Sequence, residues 1–222
     1  MPQWAGSCWY YLRFMDPKCQ DAPASKEMID YWGQVDRYVG GAEHAVLHLL
    51  YARFWHKVLF DIGVVSFTEP FQDLIGVGLI LGPDGGKMSK SKGNVINPDD
   101  VVKEYGADTL RMYELFISDF RDAAPWDTEA IVGVRRFLEK ASSIFETSRF
   151  ASDDMKAMKL LHKTIKKVGE DIEAFKFNTA ISALMILLNE GLPRDPENQT
   201  EWKKTFAILL HPFAPHLAEE LW

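Results

Sequence analysis

Three lysines, two serines and flanking glycines crowd into residues 85–94, GGKMSKSKGN, here called the lysine loop. A lysine ammonium is a compact charge on a flexible stem, a serine hydroxyl donates hydrogen bonds, and glycine lets the backbone approach an anion closely. Such a loop can stabilise the charge that develops on a phosphoryl group during its transfer. Composition alone favours a solvated surface turn, since charged runs usually lie on the surface. The order of the residues favours a phosphate-binding loop.

A second group of chemically capable residues is GGAEHAVLH, residues 40–48. The pattern predicts a short strand at Arg37–Val39, a tight turn, and a long helix over 42–61. A helix N-terminus offers unpaired N–H groups, and Glu43 can accept from sugar hydroxyls, so this turn is a candidate nucleotide cradle. Two glycines before a helix are, however, more typical of an ordinary helix start.

His44 and His48 lie four residues apart, a spacing that can bind a metal from one helical face. No glutamate stands between them in the zincin pattern and no third ligand is evident, so hydrogen-bonded helix histidines are the better interpretation. The first residues contain an aromatic cluster, for which core packing is the default and an apolar pocket for a small side chain is the alternative. Its members are Trp4, Trp9, Tyr10, Tyr11 and Phe14.

The bulk composition is that of a globular chain with an ample core, at 222 residues and 47% hydrophobic. The net charge of −7 means that a polyanion partner must be met by local basic patches. The most apolar run, 181–188, falls far short of the roughly 20 residues that span a bilayer, and no secretory signal is visible. Cys8 and Cys19 form no C-x-x-C pair, which argues against a zinc site or a disulfide framework and favours a reducing cytoplasm.

Strand and helix signals alternate over the first hundred-odd residues, with strands also expected at 64–67 and 77–81. From Asn97 the signals become helical, with helices expected over 98–105, from 106, from 127 and 152, and over 177–190 and 197–210. The predicted fold class is therefore α/β plus all-α. The expected domains are 1–125, an α/β part carrying the lysine loop, and 126–222, a helical bundle.

Three segments resemble the bacterial leucyl-tRNA synthetases, a family of class I aminoacyl-tRNA synthetases. They are residues 1–11 (MPQWAGSCWYY), residues 38–48 (YVGGAEHAVLH), and the lysine loop followed by NPDD at 97–100 and GADTLR at 106–111. A short lysine motif arises by chance, whereas three such segments in this order hardly do. The similarity extends to HPFAPHLAEELW at 211–222, and residues 150–195 match only in helical character.

For catalysis, the resemblance implies that Lys87 and Lys90 neutralise the ATP phosphates and the departing pyrophosphate while the leucine carboxylate attacks the α-phosphate. The gain would come from electrostatics and positioning, without a covalent enzyme intermediate. Glu43 would meet the ribose and Met88 the adenine. The implied ATP-binding residues are Gly40, Gly41, Glu43, His44, Met88, Ser89, Lys90 and Ser91. Mg²⁺ is expected with ATP, and no protein-bound zinc is expected.

The resemblance further implies a leucine pocket lined by Trp4, Tyr38 and His48, with Ser7 beside it. It also implies that 1–125 is a partial Rossmann-like catalytic domain and that 126–222 is a partial tRNA-binding helical bundle of the anticodon-binding kind. This helical half would hold the body of tRNA(Leu), and the whole enzyme would be a monomer. Candidate phosphate contacts, each more typical of a solvated helix face, are Arg135, Arg136, Lys163, Lys166 and Lys167.

The sequence also departs from the family pattern. The His-x-Gly-His turn that contacts ATP in the family is absent from these residues, as are the editing domain and the domain that some members insert before the lysine loop. We therefore expect part of a longer enzyme that is inactive alone. The alternatives are a valyl- or isoleucyl-tRNA synthetase, against which residues 40–44 and 4–11 argue, and a non-catalytic RNA-binding module derived from a synthetase.

Overall fold

The computed structural model describes residues 5–147 and 152–222 and divides the chain into two compact units, Met1–Val77 and Gly78–Trp222. The first unit contains the helices α1 (Tyr10–Met15), α2 (Lys26–Trp32) and α3 (His48–Asp61), and the strands β1 (Val35–Gly40) and β2 (Phe71–Gly76). The two strands pair in parallel, from Val35 opposite Phe71 to Gly40 opposite Gly76. Buried apolar side chains beneath them form a small core that includes Leu12, Ile29, Ala52 and Val65.

Two expectations for the first unit were wrong. The helix predicted from Ala42 is a 3-10 helix, Ala42–Ala45, followed by α3 from His48. The strand predicted at 64–67 does not form: Gly63, at φ 75°, ends the last turn of α3, and the Val64 N–H bonds back to the Leu59 carbonyl. The apolar pattern there came from burial, because Val65 is 3% exposed and packs in the core without strand pairing.

The second unit begins with β3 (Ile80–Leu81), which pairs in parallel with β4 (Ala124–Pro125). The strand predicted over 77–81 is therefore confirmed only in part. The lysine loop lies between these strands in sequence, followed by α4 (Pro98–Tyr105) and α5 (Ala107–Phe116). The remaining helices are α6 (Thr128–Thr147), α7 (Asp154–Glu173), α8 (Phe177–Glu190), α9 (Pro196–Leu210) and α10 (Pro215–Leu221). No helix within the described ranges combines the length and apolar character that a membrane crossing needs.

Local capping accounts for the accurate prediction of several helix ends. Asn97 accepts the Asp99 N–H at 3.2 Å at the start of α4, and Gly106, at φ 92°, ends that helix. Asp153 accepts the Lys156 N–H at 3.0 Å at the start of α7. The predicted fold class, α/β followed by helices, is confirmed. The proposed domain boundary at 125 lies inside the second compact unit and stays a prediction.

Candidate functional site

Asn94 ties together the two ends of the lysine loop. Its side-chain amide donates to both carboxylate oxygens of Asp84, at 3.0 and 3.2 Å, and to the Lys87 carbonyl at 3.4 Å. Its side-chain oxygen accepts the Ser89 N–H at 2.9 Å, and Asp84 accepts the Gly86 N–H at 3.1 Å. The hydrogen bond from Asn94 is the main reason that the pKa of Asp84 lies below its ordinary value. The base of the loop is therefore closed around an ionised carboxylate.

The glycines that lead into the loop make room for this arrangement. Gly82 donates its N–H to the Gly86 carbonyl at 2.8 Å, and Gly85 sits at φ 71°, which only glycine adopts readily. A Cβ at position 82 would lie 2.7 Å from Asp84 Oδ1 and 2.8 Å from Asn94 Nδ2. The turn and the Asp84–Asn94 pair therefore fit together only because residue 82 has no side chain.

The tip of the loop presents its lysines to solvent. Lys90–Lys92 form a 3-10 turn that Gly93 ends at φ 66°, and the Ser89 hydroxyl accepts the Lys92 N–H at 3.3 Å. Lys87 and Lys90 are exposed and make no ion pair with any described residue. Their charges are thus available to an anion.

Met88 lies in the middle of the lysine loop but points inward. Its side chain is partly buried and packs against the large apolar core of the second unit. This contact anchors the loop to the helices beneath it while the flanking lysines stay in solvent. The expected contact of Met88 with adenine stays a prediction.

The glycine pair lies at the carboxyl end of β1, where parallel sheets commonly bind ligands. Glu43 is exposed and folds back over Gly41, so that a Cβ on Gly41 would lie 2.3 Å from Glu43 Oε2. His44 follows in the same 3-10 helix. Because this helix is a single short turn, the dipole of a long helix does not act here. The Glu43 carboxylate can accept from the hydroxyls of a ribose, whereas only local backbone N–H groups could bind an anion.

The structure brings Ser7, Tyr38 and His48 together. His48 Nε2 lies 2.6 Å from the Ser7 carbonyl oxygen, and Nδ1 lies 3.1 Å from the Tyr38 hydroxyl. A carbonyl can only accept, so Nε2 carries a proton and donates to Ser7, while Nδ1 faces the Tyr38 hydroxyl. Both ring nitrogens are occupied, and His48 is 4% exposed. The interpretation of His48 as a hydrogen-bonded helix histidine is supported, and no described cluster of three His, Cys, Asp or Glu residues could hold a metal ion.

The rings around His48 form an aromatic wall. Tyr38 stacks on His48 with centroids 5.6 Å apart, and Phe71 meets Tyr38 at 4.9 Å. Burial is the main reason that the pKa of Tyr38 lies above its ordinary value. A cleft of about 520 Å³ lies beside this wall and is lined by Tyr10, Phe14 and Trp32 among others. Trp4, the other residue expected in the pocket, lies outside the described residues.

The five basic residues suggested as tRNA contacts differ in their surroundings. Arg135 donates from Nε to Glu139 and from Nη1 to the Glu104 carbonyl at 2.9 Å, so it holds α6 to the end of α4. On α7, Lys166 and Lys167 each form an ion pair with a carboxylate one turn further along the helix. Arg136 and Lys163 are exposed and have no ion pair among the described residues. These two are the better candidates for phosphate contacts, although all five stay predictions.

Comparison with protein families gives two matches. Residues 49–127, a range that includes the lysine loop, match the family described as tRNA synthetases class I (I, L, M and V). Residues 154–222 match the anticodon-binding domain of tRNA ligase. The order of these matches agrees with the predicted order of a catalytic part followed by a helical bundle.

Curated relatives extend the likeness over the whole chain. A leucine–tRNA ligase of Leptospira biflexa is 54% identical over 231 residues, covering 100% of this chain and 26% of the relative. A leucine–tRNA ligase of Chlorobaculum tepidum is also 54% identical, covering 100% of this chain and 28% of the relative. The chain thus spans about a quarter of the length of the curated relatives it matches, as expected for part of a longer enzyme.

Solved structures give the same picture. A ternary complex of Agrobacterium radiobacter K84 agnB2 LeuRS with tRNA and LeuAMS has a TM-score of 0.88 at 35% identity, covering 97% of this chain and 30% of that one. A methionyl-tRNA synthetase of Mycobacterium tuberculosis has a TM-score of 0.67 at 17% identity, covering 96% of this chain and 47% of that one, and shows the shared fold alone. With the lysine loop, both family matches and 54% identity along its full length, the chain belongs to the leucine–tRNA ligase family of class I tRNA synthetases.

Proposed function

We propose that this chain supplies the lysine loop, part of the leucine pocket and part of the tRNA-binding bundle of a leucine–tRNA ligase. The reaction is activation of leucine with ATP to leucyl-adenylate, followed by transfer of leucine to tRNA(Leu). The observation that carries the proposal is the lysine loop, whose base is closed by Asp84 and Asn94 while Lys87 and Lys90 remain exposed and free of ion pairs with described residues.

In the activation step the leucine carboxylate attacks the α-phosphorus of ATP, and pyrophosphate leaves. Negative charge grows on the departing pyrophosphate, and Lys87 and Lys90 stabilise it electrostatically. The Ser89 and Ser91 hydroxyls are hydrogen-bonded to each other at 2.9 Å, and the hydroxyl that accepts in this pair can donate its own proton to a phosphate oxygen. ATP would enter as its Mg²⁺ complex, since phosphate oxygens are ligands that this ion prefers.

For the nucleoside, we assign the ribose to Glu43, with Gly40, Gly41 and His44 shaping the turn around it. A carboxylate accepts both hydroxyls of a ribose edge, and the lack of a side chain at Gly41 lets Glu43 fold close to the backbone. For leucine, we assign the aromatic wall built by Tyr38 and His48 next to Ser7, since an apolar side chain is favoured by such a surface.

For tRNA, we propose that Arg136 and Lys163 contact phosphates, because their charges are exposed and uncommitted within the described residues. The complex of the Agrobacterium LeuRS with tRNA supports a tRNA partner for the family. We also propose a monomeric enzyme acting in the cytoplasm.

The decisive experiment is aminoacylation by the full-length protein with leucine, valine and isoleucine in parallel. We expect tRNA(Leu) to be charged with leucine. Charging with valine or isoleucine instead would replace the amino-acid assignment, and tRNA binding without any charging would favour a non-catalytic RNA-binding module.

A further inference from the structure

We propose that Asp84 and Asn94 are positioning residues for leucine activation, which set the shape of the lysine loop and so the placement of Lys87 and Lys90. The inference rests on the proposed function. Neither residue is assigned to a substrate. They act through the hydrogen bonds that join the two flanks of the loop.

The first support is that Asn94 contacts both flanks and the interior of the loop at once. Its side chain forms hydrogen bonds with the Asp84 carboxylate, which precedes the lysines in sequence, with the Lys87 carbonyl and with the Ser89 N–H. Each of these bonds fixes a different backbone or side-chain group, so the backbone on both sides of Lys87 is constrained. A loop held in this way loses less conformational freedom when it closes on an anion.

The second support is electrostatic. A carboxylate so near three lysines in sequence would compete with phosphate for their charges. The amide of Asn94 and the Gly86 N–H occupy Asp84 instead. Holding the only acidic side chain of residues 82–94 at the base of the loop leaves Lys87 and Lys90 without an ion pair among the described residues.

The third support is steric. Gly82 faces both members of the pair, and a methyl group there would collide with Asp84 Oδ1 and Asn94 Nδ2. The backbone of Gly82 is not in the left-handed region, so Gly82→Ala disturbs the pair without backbone strain. It is therefore a probe that alters the pair while leaving both of its side chains chemically intact.

The test uses the full-length ligase and measures leucine-dependent pyrophosphate exchange. Asn94→Asp sets two carboxylates against each other, and we expect kcat to fall by about 100-fold, the cost of a displacement near 1 Å at a reacting centre. Asp84→Asn and Gly82→Ala should lower kcat less. The reciprocal variant Asp84→Asn/Asn94→Asp restores one amide facing one carboxylate, and its kcat should recover most of the loss.

Two controls separate positioning from folding. Asp122→Asn removes an exposed carboxylate outside the loop, and Gly133→Ala adds a methyl group where nothing lies within 4 Å. Both should keep the wild-type kcat. Hydrogen exchange of the peptide containing Ser89 gives a readout independent of turnover, and protection should fall in Asn94→Asp and return in the reciprocal variant.

The outcomes separate the positioning role of Asp84 and Asn94 from the proposed function on which it rests. If the wild-type enzyme shows no leucine-dependent exchange, the proposed function fails, and the Ser89 protection pattern alone still judges the pairing. The positioning role is overturned if the wild type is active and Asn94→Asp keeps the wild-type kcat. It is also overturned if the loss of kcat in the reciprocal variant, expressed as a free energy, equals the sum of the losses in the two single variants.

Discussion

The carboxylate of Asp108 accepts the backbone N–H of Leu217 at 2.7 Å, across 109 residues of chain. The same carboxylate accepts from His216 Nδ1 at 2.8 Å. Asp108 thus caps the start of α10 from α5, and Arg111, one turn further along α5, donates to the Pro212 carbonyl at 3.3 Å. The GADTLR and HPFAPH segments, separate motifs in the sequence, are two halves of one contact.

We therefore expect Asp108→Ala to destabilise the second unit. Losing a helix cap costs about 0.5–2 kcal/mol, and the half-buried Leu217 N–H would be left without this partner. Asp108→Asn keeps one acceptor oxygen and should cost less. Urea unfolding of both variants measures the difference, and equal free energies of unfolding for Asp108→Ala and the wild type would contradict the capping role.

The sequence predicts the parts of this structure that depend on contacts between residues close together in the chain, and it fails where the contact joins distant segments. Asn97 and Asp153 bond to amides two and three residues away, so the starts of α4 and α7 follow from local sequence. The Asp108 contact does not, because nothing near either segment specifies its partner. The strand predicted at 64–67 is wrong for a related reason, since burial in a loop and burial in a strand leave the same apolar pattern in the sequence.

The candidate site shows the same division. Lys87, Lys90 and the glycine pair stand out by type and order alone. The roles of Asp84 and Asn94 do not, although Asn94 is part of the recognised motif, because an aspartate and an asparagine ten residues apart become partners only when the loop folds back. Likewise, Ser7 meets His48 through its backbone carbonyl, a contact that residue type cannot predict.

Lys90→Ala in the full-length ligase should slow leucine-dependent pyrophosphate exchange by orders of magnitude, with the larger effect on kcat. The reason is that the charge is used mainly while pyrophosphate departs. Lys103→Ala, which removes an exposed lysine on α4, is the matched control and should leave exchange unchanged. Unchanged exchange in Lys90→Ala would remove the lysine from the activation step.

Gly41→Ala should raise the KM for ATP while the protein stays folded. The new methyl group would displace the flexible Glu43 side chain, whose Oε2 would lie 2.3 Å away, and the backbone of Gly41, at φ −70°, tolerates alanine. Pyrophosphate exchange at varied ATP, with thermal unfolding alongside, checks both parts. Gly169→Ala, where nothing lies within 4 Å, controls for the added methyl group. An unchanged KM for ATP would contradict the assignment of Glu43 to ribose binding.

The buried pair Tyr11 and His56 makes the first unit sensitive to acid. The Tyr11 hydroxyl lies 2.8 Å from His56 Nδ1, and His56 Nε2 donates to the Phe67 carbonyl. Burial lowers the pKa of His56 below its ordinary 6.5, so the folded state binds a proton less readily than the unfolded state, and stability falls as the pH drops below about 6.5.

Tyr11→Phe leaves the buried Nδ1 acceptor of His56 unsatisfied and should cost about 1–3 kcal/mol at neutral pH. Urea unfolding at pH 7.5 measures this loss, and an NMR titration of His56 in the wild type checks the pKa. A His56 pKa at or above that of a free histidine would contradict the proposed acid sensitivity.

Glu69 gives a stability term at the opposite end of the pH range. Its carboxylate accepts from Arg53 Nε and Nη2, both at 2.8 Å, and from Lys57 Nζ at 2.7 Å. These hydrogen bonds, with Arg53 the larger influence, lower the pKa of Glu69 from 4.5 to about 2. The stabilisation is therefore complete above the unfolded pKa and is lost as the pH falls through about 2.

Because Glu69 is 38% exposed, solvent screening limits the contribution to under about 1 kcal/mol. Glu69→Gln should lower the free energy of unfolding at pH 7 and converge with the wild type near pH 2. Glu27→Gln, which removes an exposed carboxylate without an ion pair in the described residues, is the matched control. A constant difference between Glu69→Gln and the wild type from pH 7 to 2 would show that packing, and not charge, is what Glu69 contributes.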